Sequence, residues 1–185
     1  MANARISLRG RAVALRAIRV VRRPGARSRG WLTAGPVRIA VALGRGGVRA
    51  DKREGDGATP RGRFRPLRVW WRADRGARPR TLLPVRRIGW ADGWCEDPAD
   101  RRYNRPIRLA DGKPGDRLWR SDHLYDLFVE LNHNVRPRVA GRGSAIFVHV
   151  ARPNFGDTAG CVALTAVTLR RLLTRIDRNT RIQIH

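Results

Sequence analysis

A chain of 185 residues with 42% apolar residues has the size and composition of one folded domain, which excludes a disordered polymer. The formal charge of +25 points to anionic partners, but every basic residue except Lys52 and Lys113 is Arg, and these are spread along the chain rather than gathered in one block. Aromatics make up 6%, too few for a base-stacking platform, so no specific nucleic-acid role is expected, and no apolar run approaches the roughly 18 residues of a membrane span.

At the N-terminus, Arg5, Arg9, Arg11, Arg16, Arg19 and Arg22 interrupt every stretch that could serve as the apolar core of a secretory signal. Residues 1–34 read as an Arg-rich segment with one or more strands joined to a main domain over 35–185. Residues 11–21 fit helix or strand, "RRPGARSRG" reads as a turn, and "PVRIAVAL" at 36–43 alternates as a strand. A Gly-rich stretch, "GRGGVRADKREGDGATPRGRF", follows as a long loop of functional type. "LRVWW" at 67–71 is a further strand. Residues 73–120 read as irregular structure pinned by Trp71, Trp90, Trp94 and Trp119. "LYDLFVEL" at 124–131 and residues 144–150 are strands, the second central. Leu169, Leu172, Leu173 and Ile176 then fall on one helical stripe with Thr165 as its cap. "RIQIH" closes with a strand on which Ile182 and Ile184 point the same way. The sum is a mainly-β α+β fold with one firm helix near the C-terminus.

The chemistry concentrates in "FVHVARPNFGDTAGCVAL", residues 147–164, which holds one of two cysteines and one of four histidines. A free thiol has a pKa of about 8.5 and is a poor nucleophile at neutral pH; an imidazole can take its proton, and a helix N-terminus steadies the thiolate. Cys161 is placed just before the expected helix. Gly160 omits a Cβ where the backbone turns and brings N–H groups toward a substrate oxygen, and His149 ends a strand, a rigid mount for a base. The alternative for the same residues is an inert buried cysteine and a packed core histidine. A Cys95–Cys161 bridge would silence the thiol. A zinc site from Cys95, Cys161, His123 and His149 lacks the short ligand spacings of structural zinc sites, so no metal is expected.

The chain resembles the L,D-transpeptidase catalytic domain, the YkuD type of cell-wall enzyme. That family carries a His followed by a loop ending in S/T-x-G-C-V, here His149 and then Thr158, Ala159, Gly160, Cys161 and Val162. "GDGATPRGRF" is similar to the family's T-P-x-G-x-F segment through Thr59, Pro60, Gly62 and Phe64. The resemblance implies a mixed β-sandwich or barrel with a helix after the catalytic Cys. It also implies attack by Cys161 on the third residue of a peptidoglycan tetrapeptide stem, loss of D-alanine, and a thioester passed to an amine as a 3–3 cross-link. His149 is then base and acid, the N–H groups of Gly160 and Cys161 hold the oxyanion, and no cofactor is required. Water as acceptor, giving L,D-carboxypeptidase or amidase action, is the rival within enzymes; an Arg-rich nucleic-acid-binding protein is the rival outside them. The resemblance places the protein at the cell envelope or periplasm; without a visible signal peptide, a cytoplasmic location stays open.

The chain departs from the family at Ala159 and Ala163, where many members have His and Arg, and the His-to-Cys interval is short. Arg152 reads either as a replacement clamp for a stem carboxylate or as a solvated loop charge. Thr158 either orients His149 or makes the turn before Cys161. His123 and Tyr125, two apart on an expected strand, share a face and either line the cleft or pack structurally. Cys95, Asp97, Tyr103 and Asn104 lie in a candidate lid, with Cys95 itself read as a packed residue. Ser144 is either a donor in the site or a cap where its strand begins.

Overall fold

The computed structural model of the protein describes residues 14–109 and 115–185. In chain order the strands are β1 (Ala17–Arg22), β2 (Arg29–Ala34), β3 (Val37–Ala42), β4 (Val48–Arg49), β5 (Thr59–Pro60), β6 (Gly62–Phe64), β7 (Pro66–Trp71), β8 (Val85–Arg87), β9 (Asp92–Cys95), β10 (Arg105–Arg108), β11 (Asp116–Arg117), β12 (Leu127–Leu131), β13 (Phe147–Val150) and β14 (Val162–Leu164); helix α1 (Ala166–Leu173) precedes β15 (Arg181–Ile184). Ten of them form one mixed sheet in the order β6-β15-β1-β2-β3-β14-β13-β12-β7-β8, while β10-β9-β11 make a small antiparallel sheet of their own. The fold is α+β and mainly β. Among the described residues no helix is long and apolar enough to cross a membrane.

Alternation decides which side chains meet. On β1, β2 and β15 the residues Ile18, Val20, Leu32, Ile182 and Ile184 point to one face and pack with Leu169, Leu172 and Leu173 of α1. This is the larger core, and at roughly 25 cal/mol per Å² of apolar surface it supplies most of the burial energy. The opposite face carries a second core over the other half of the sheet. There Trp70 stacks on Phe128, and Trp94 of β9 packs edge-on against Trp70 and Phe147, closing the layer from above. Strand β12 is buried throughout because it serves both cores, Leu127, Val129 and Leu131 on one side and Phe128 on the other.

Several expectations are corrected. The ambiguous 11–21 segment is a strand from Ala17, antiparallel to β2 and parallel to β15; its residues 11–13 lie outside the described residues, as do 110–114 of the middle region. The Gly-rich loop contains β4, β5 and β6. The middle region contains four short strands, and Trp90 is 58% exposed, so it anchors nothing, while Trp70 is fully buried. The strand expected from residue 124 begins at Leu127. The helix does not follow Cys161 directly. Val162, Ala163 and Leu164 form β14, paired in parallel with β13 and buried on both faces, as such central strands are. The Thr165 hydroxyl caps α1 by accepting from the Thr168 N–H, and Ile176 lies beyond the helix end but still packs in its core.

Candidate active site

Strands β13 and β14 run parallel, with Val148 opposite Val162 and His149 opposite Ala163. Val148, Val162 and Leu164 face the α1 core. By alternation Phe147, His149, Cys161 and Ala163 share the other face. There His149 and Cys161 line one cleft of about 270 Å³, together with Tyr125, Arg120 and Arg152.

Each of the pair is held by the main chain. The Cys161 thiol donates to the Ala145 carbonyl at 3.1 Å, and its sulfur accepts the Phe147 N–H at 3.3 Å. Burial pushes the thiol pKa up to about 12, against the opposing help of that N–H. His149 Nδ1 lies 2.8 Å from the Val150 carbonyl oxygen. A carbonyl only accepts, so Nδ1 carries the proton and Nε2 keeps a free lone pair. Burial pulls the imidazole pKa down to about 4, with Arg120 and Arg152 acting in the same direction. The ring of Tyr125 packs edge-on against it at 5.7 Å. At neutral pH the two groups therefore rest as thiol and neutral imidazole rather than as an ion pair. Because β14 stands between Cys161 and α1, the helix N-terminus gives the thiolate no direct support.

The turn before Cys161 is tied by Thr158, whose Oγ1 donates to the Cys161 carbonyl at 2.7 Å and accepts the Gly160 N–H at 3.1 Å. Thr158 thus makes the turn and does not touch His149. It also takes the Gly160 N–H that was expected for an oxyanion. Gly160 has φ +143°, and a Cβ there would stand 2.8 Å from the Ala58 carbonyl oxygen, so glycine is required. The second sequence motif explains that neighbour. Thr59 Oγ1 accepts the Gly44 N–H at 2.8 Å, while Thr158 N–H reaches the Leu43 carbonyl at 3.0 Å and Arg45 N–H the Thr158 carbonyl at 2.9 Å. The T-P segment is a brace: it pins the end of β3 and the 56–59 loop behind the Gly-Cys turn.

Other candidates fall elsewhere. Neither His123 nor Tyr125 is on a strand. His123 has φ +66° and swings out to pair with Asp126 at 2.8 Å, away from the cleft, because the positive φ breaks the two-residue alternation. Tyr125 does line the cleft, its hydroxyl donating to Asp116 at 2.8 Å. Arg152 is exposed at the rim. Asn104 is no part of a lid: it is buried, its Oδ1 accepting from Trp94 Nε1 and the Ala145 N–H, its Nδ2 donating to the carbonyls of His133 and Asn134. It therefore holds the residue that holds the thiol. Ser144 is buried and does not line the cleft. Cys95 and Cys161 are both free and unbridged, and burial raises the Cys95 thiol pKa as well.

The sequence reading missed Arg45, Glu96, Asp116 and Arg120, which complete the walls. Arg120 is anchored by Asp122 at 2.6 Å and by Asp116 at 3.3 Å. Surrounding protein, together with the like charges of Asp116 and Glu54, lifts the Glu96 carboxyl to about 7 although its side chain is exposed overall. Burial also raises Asp116. Only Arg45 carried a signal in sequence, through its place in the Gly-rich loop.

A thiol and an imidazole share one face of a curled mixed sheet, over an open cleft, an arrangement that nucleophilic chemistry can use. Residues 19–184 match the family model of the L,D-transpeptidase catalytic domain, YkuD, and the chain belongs to that family. No curated protein and no solved structure matches the chain.

Proposed function

We propose that the protein is a cysteine L,D-transpeptidase that acylates itself on a peptidoglycan tetrapeptide stem and passes the acyl group to an amine, forming a 3–3 cross-link. The observation that carries this reading is the convergence of His149 and Cys161 in one cleft of a chain belonging to this family. Cys161 attacks the carbonyl of the third stem residue. Because both groups rest neutral, His149 Nε2 takes the thiol proton as the S–C bond forms, without a preformed thiolate. The Cys161 N–H supports the developing oxyanion, and the imidazolium returns its proton to the departing D-alanine nitrogen. An acceptor amine then attacks the thioester and regenerates the thiol. Arg152 and Arg45, both exposed at the cleft, take a stem carboxylate in place of the arginine replaced by Ala163. The reading places the enzyme at the cell envelope, where the stem peptides are.

The test is incubation of the full chain with tetrapeptide muropeptides, followed by mass spectrometry. Transpeptidation yields free D-alanine and a cross-linked dimer, and the Cys161→Ala protein yields neither. Tripeptide without dimer would assign the enzyme to L,D-carboxypeptidase action. No turnover by the folded protein would overturn the proposal.

A further inference from the structure

The sheet face that bears His149 and Cys161 continues beyond β14 onto β3, β2, β1, β15 and β6, and there, among the described residues, nothing like the β10-β9-β11 sheet covers it. Pairing registers fix which residues stand on it. Ala163 is opposite Ala42, and Ala42, Ala40 and Arg38 alternate onto the same side of β3. From Arg38 the register runs directly across the sheet: Arg38 opposite Thr33, Thr33 opposite Arg19, Arg19 opposite Gln183, Gln183 opposite Arg63. One transverse row therefore reads Arg38–Thr33–Arg19–Gln183–Arg63, five strands wide. Adjacent strands lie about 4.8 Å apart, so the three guanidinium groups repeat every ~10 Å.

Arg19, Arg38 and Arg63 are all exposed, and among the described residues no carboxylate pairs with any of them. Two of them rest on neutral neighbours. The Arg38 guanidinium lies 4.6 Å over the Trp31 ring, and Arg19 Nε stands 3.4 Å from Gln183 Oε1. Six arginines elsewhere, Arg72, Arg75, Arg86, Arg102, Arg108 and Arg120, do meet aspartates. The next row toward the turn has Val21, Trp31 and Ala40 in register, while Arg29, opposite Ala42, and Arg181, opposite Ala17, flank the row on the same face. The row runs across the strands in line with β14 and β13, so a chain laid across the strands meets its cations in succession. A groove of about 360 Å³, lined by Arg29, Trp31, Ala40, Asn154 and Phe155, lies on this face and leads toward the 152–155 loop, whose Arg152 lines the catalytic cleft.

We propose that this stripe is a docking track for a linear phosphate-bearing polymer, which lies along the outward face and leads toward the cleft. Guanidinium forks match phosphate oxygens bidentately, and binding at unpaired cations releases the counterions condensed on the polymer. The track stands apart from the chemistry at Cys161 and holds whether or not that thiol is acylated.

Linear inorganic polyphosphate is the probe, titrated against the full chain at several salt concentrations. The triple variant R19Q/R38Q/R63Q is compared with R78Q/R80Q/R101Q, which removes the same charge from exposed sites outside the row. At roughly 0.7 per phosphate contact, the row variant makes the slope of log affinity against log salt shallower by about 2, while the control leaves it unchanged; R19Q, R38Q and R63Q singly take about 0.7 each. Equal weakening in both triple variants would show that net charge alone attracts the polymer, and an unchanged slope in the row variant would show that the row does not bind it. Phosphatidylglycerol vesicles captured with the same dependence on the row, and displacing polyphosphate, would make the face a membrane surface. Any of the three overturns the proposal.

Discussion

The Cys161 thiol donates its hydrogen bond to the Ala145 carbonyl, 3.1 Å away, and not to the His149 ring, whose own proton is given to Val150. Cys161 thus rests as a neutral thiol, and acylation as proposed requires that this bond be exchanged for one to Nε2. Burial pushes the thiol pKa up to about 12, so iodoacetamide alkylation of the free protein, read by intact mass, accelerates about tenfold per pH unit from pH 7 to 10 with no plateau near 9. A plateau near neutrality would mean a preformed thiolate.

Burial shifts the imidazole the other way, downward. His149 has a folded pKa of about 4 against 6.5 unfolded, so the unfolded chain binds the extra proton between those values. Stability from this group is complete above pH 6.5 and falls as pH drops through that window, by about 3 kcal/mol at the acid end. Denaturant unfolding of the wild type and of His149→Gln at pH 7 and pH 4 measures it: the wild type loses more over the interval, and the difference between the two proteins is the imidazole's share.

Thr158 serves as a rivet for the nucleophile turn. Thr158→Val keeps the shape but leaves the Gly160 N–H without its acceptor, which costs about 2 kcal/mol in stability and lowers the acylation rate. Thr158→Ser keeps both hydrogen bonds and restores the rate. Thermal unfolding together with single-turnover acylation checks the pair.

Asn104 acts at one remove. Asn104→Ala unmakes bonds to Trp94, Ala145, His133 and Asn134, and the expected loss is about 3 kcal/mol. Since Ala145 carries the carbonyl that holds the thiol, the variant at a temperature where it remains folded also alkylates at Cys161 with an altered pH profile, which a purely structural role would not produce.

At the rim, Arg152→Gln tests the carboxylate clamp. Loss of one charge-assisted pair raises KM for the stem peptide about tenfold with little change in kcat, an effect that shrinks at high salt. If Arg45→Gln does this instead, the Gly-rich loop supplies the clamp.

What the sequence disclosed follows from how local each signal is. The Gly-Cys turn and its histidine were legible because both belong to one short stretch and the Cβ of any residue but glycine would strike Ala58. The α1 stripe and its Thr165 cap were legible because helical spacing repeats within eight residues. The strand between Cys161 and that cap was not seen because Val162–Leu164 is apolar at every position, a pattern that fits a doubly buried strand as well as a helix. The strands of two to four residues, β4 to β6 and β8 to β11, are too short to show a period. Tyr125 and His123 were assigned one face by an alternation that the positive φ of His123 cancels. Arg45, Glu96 and the Asp116–Arg120 pair come from three distant parts of the chain, and only the pairing of distant strands brings them to one cleft.

The central claim is that the sulfur at position 161 carries the acyl group. Intact-protein mass spectrometry after brief mixing with a tetrapeptide stem measures this directly. The account predicts an adduct of the stem less D-alanine, mapped to Cys161, labile to hydroxylamine and absent from Cys161→Ala. Folded wild-type protein that releases D-alanine with no such adduct, or an adduct that persists in Cys161→Ala, would contradict it.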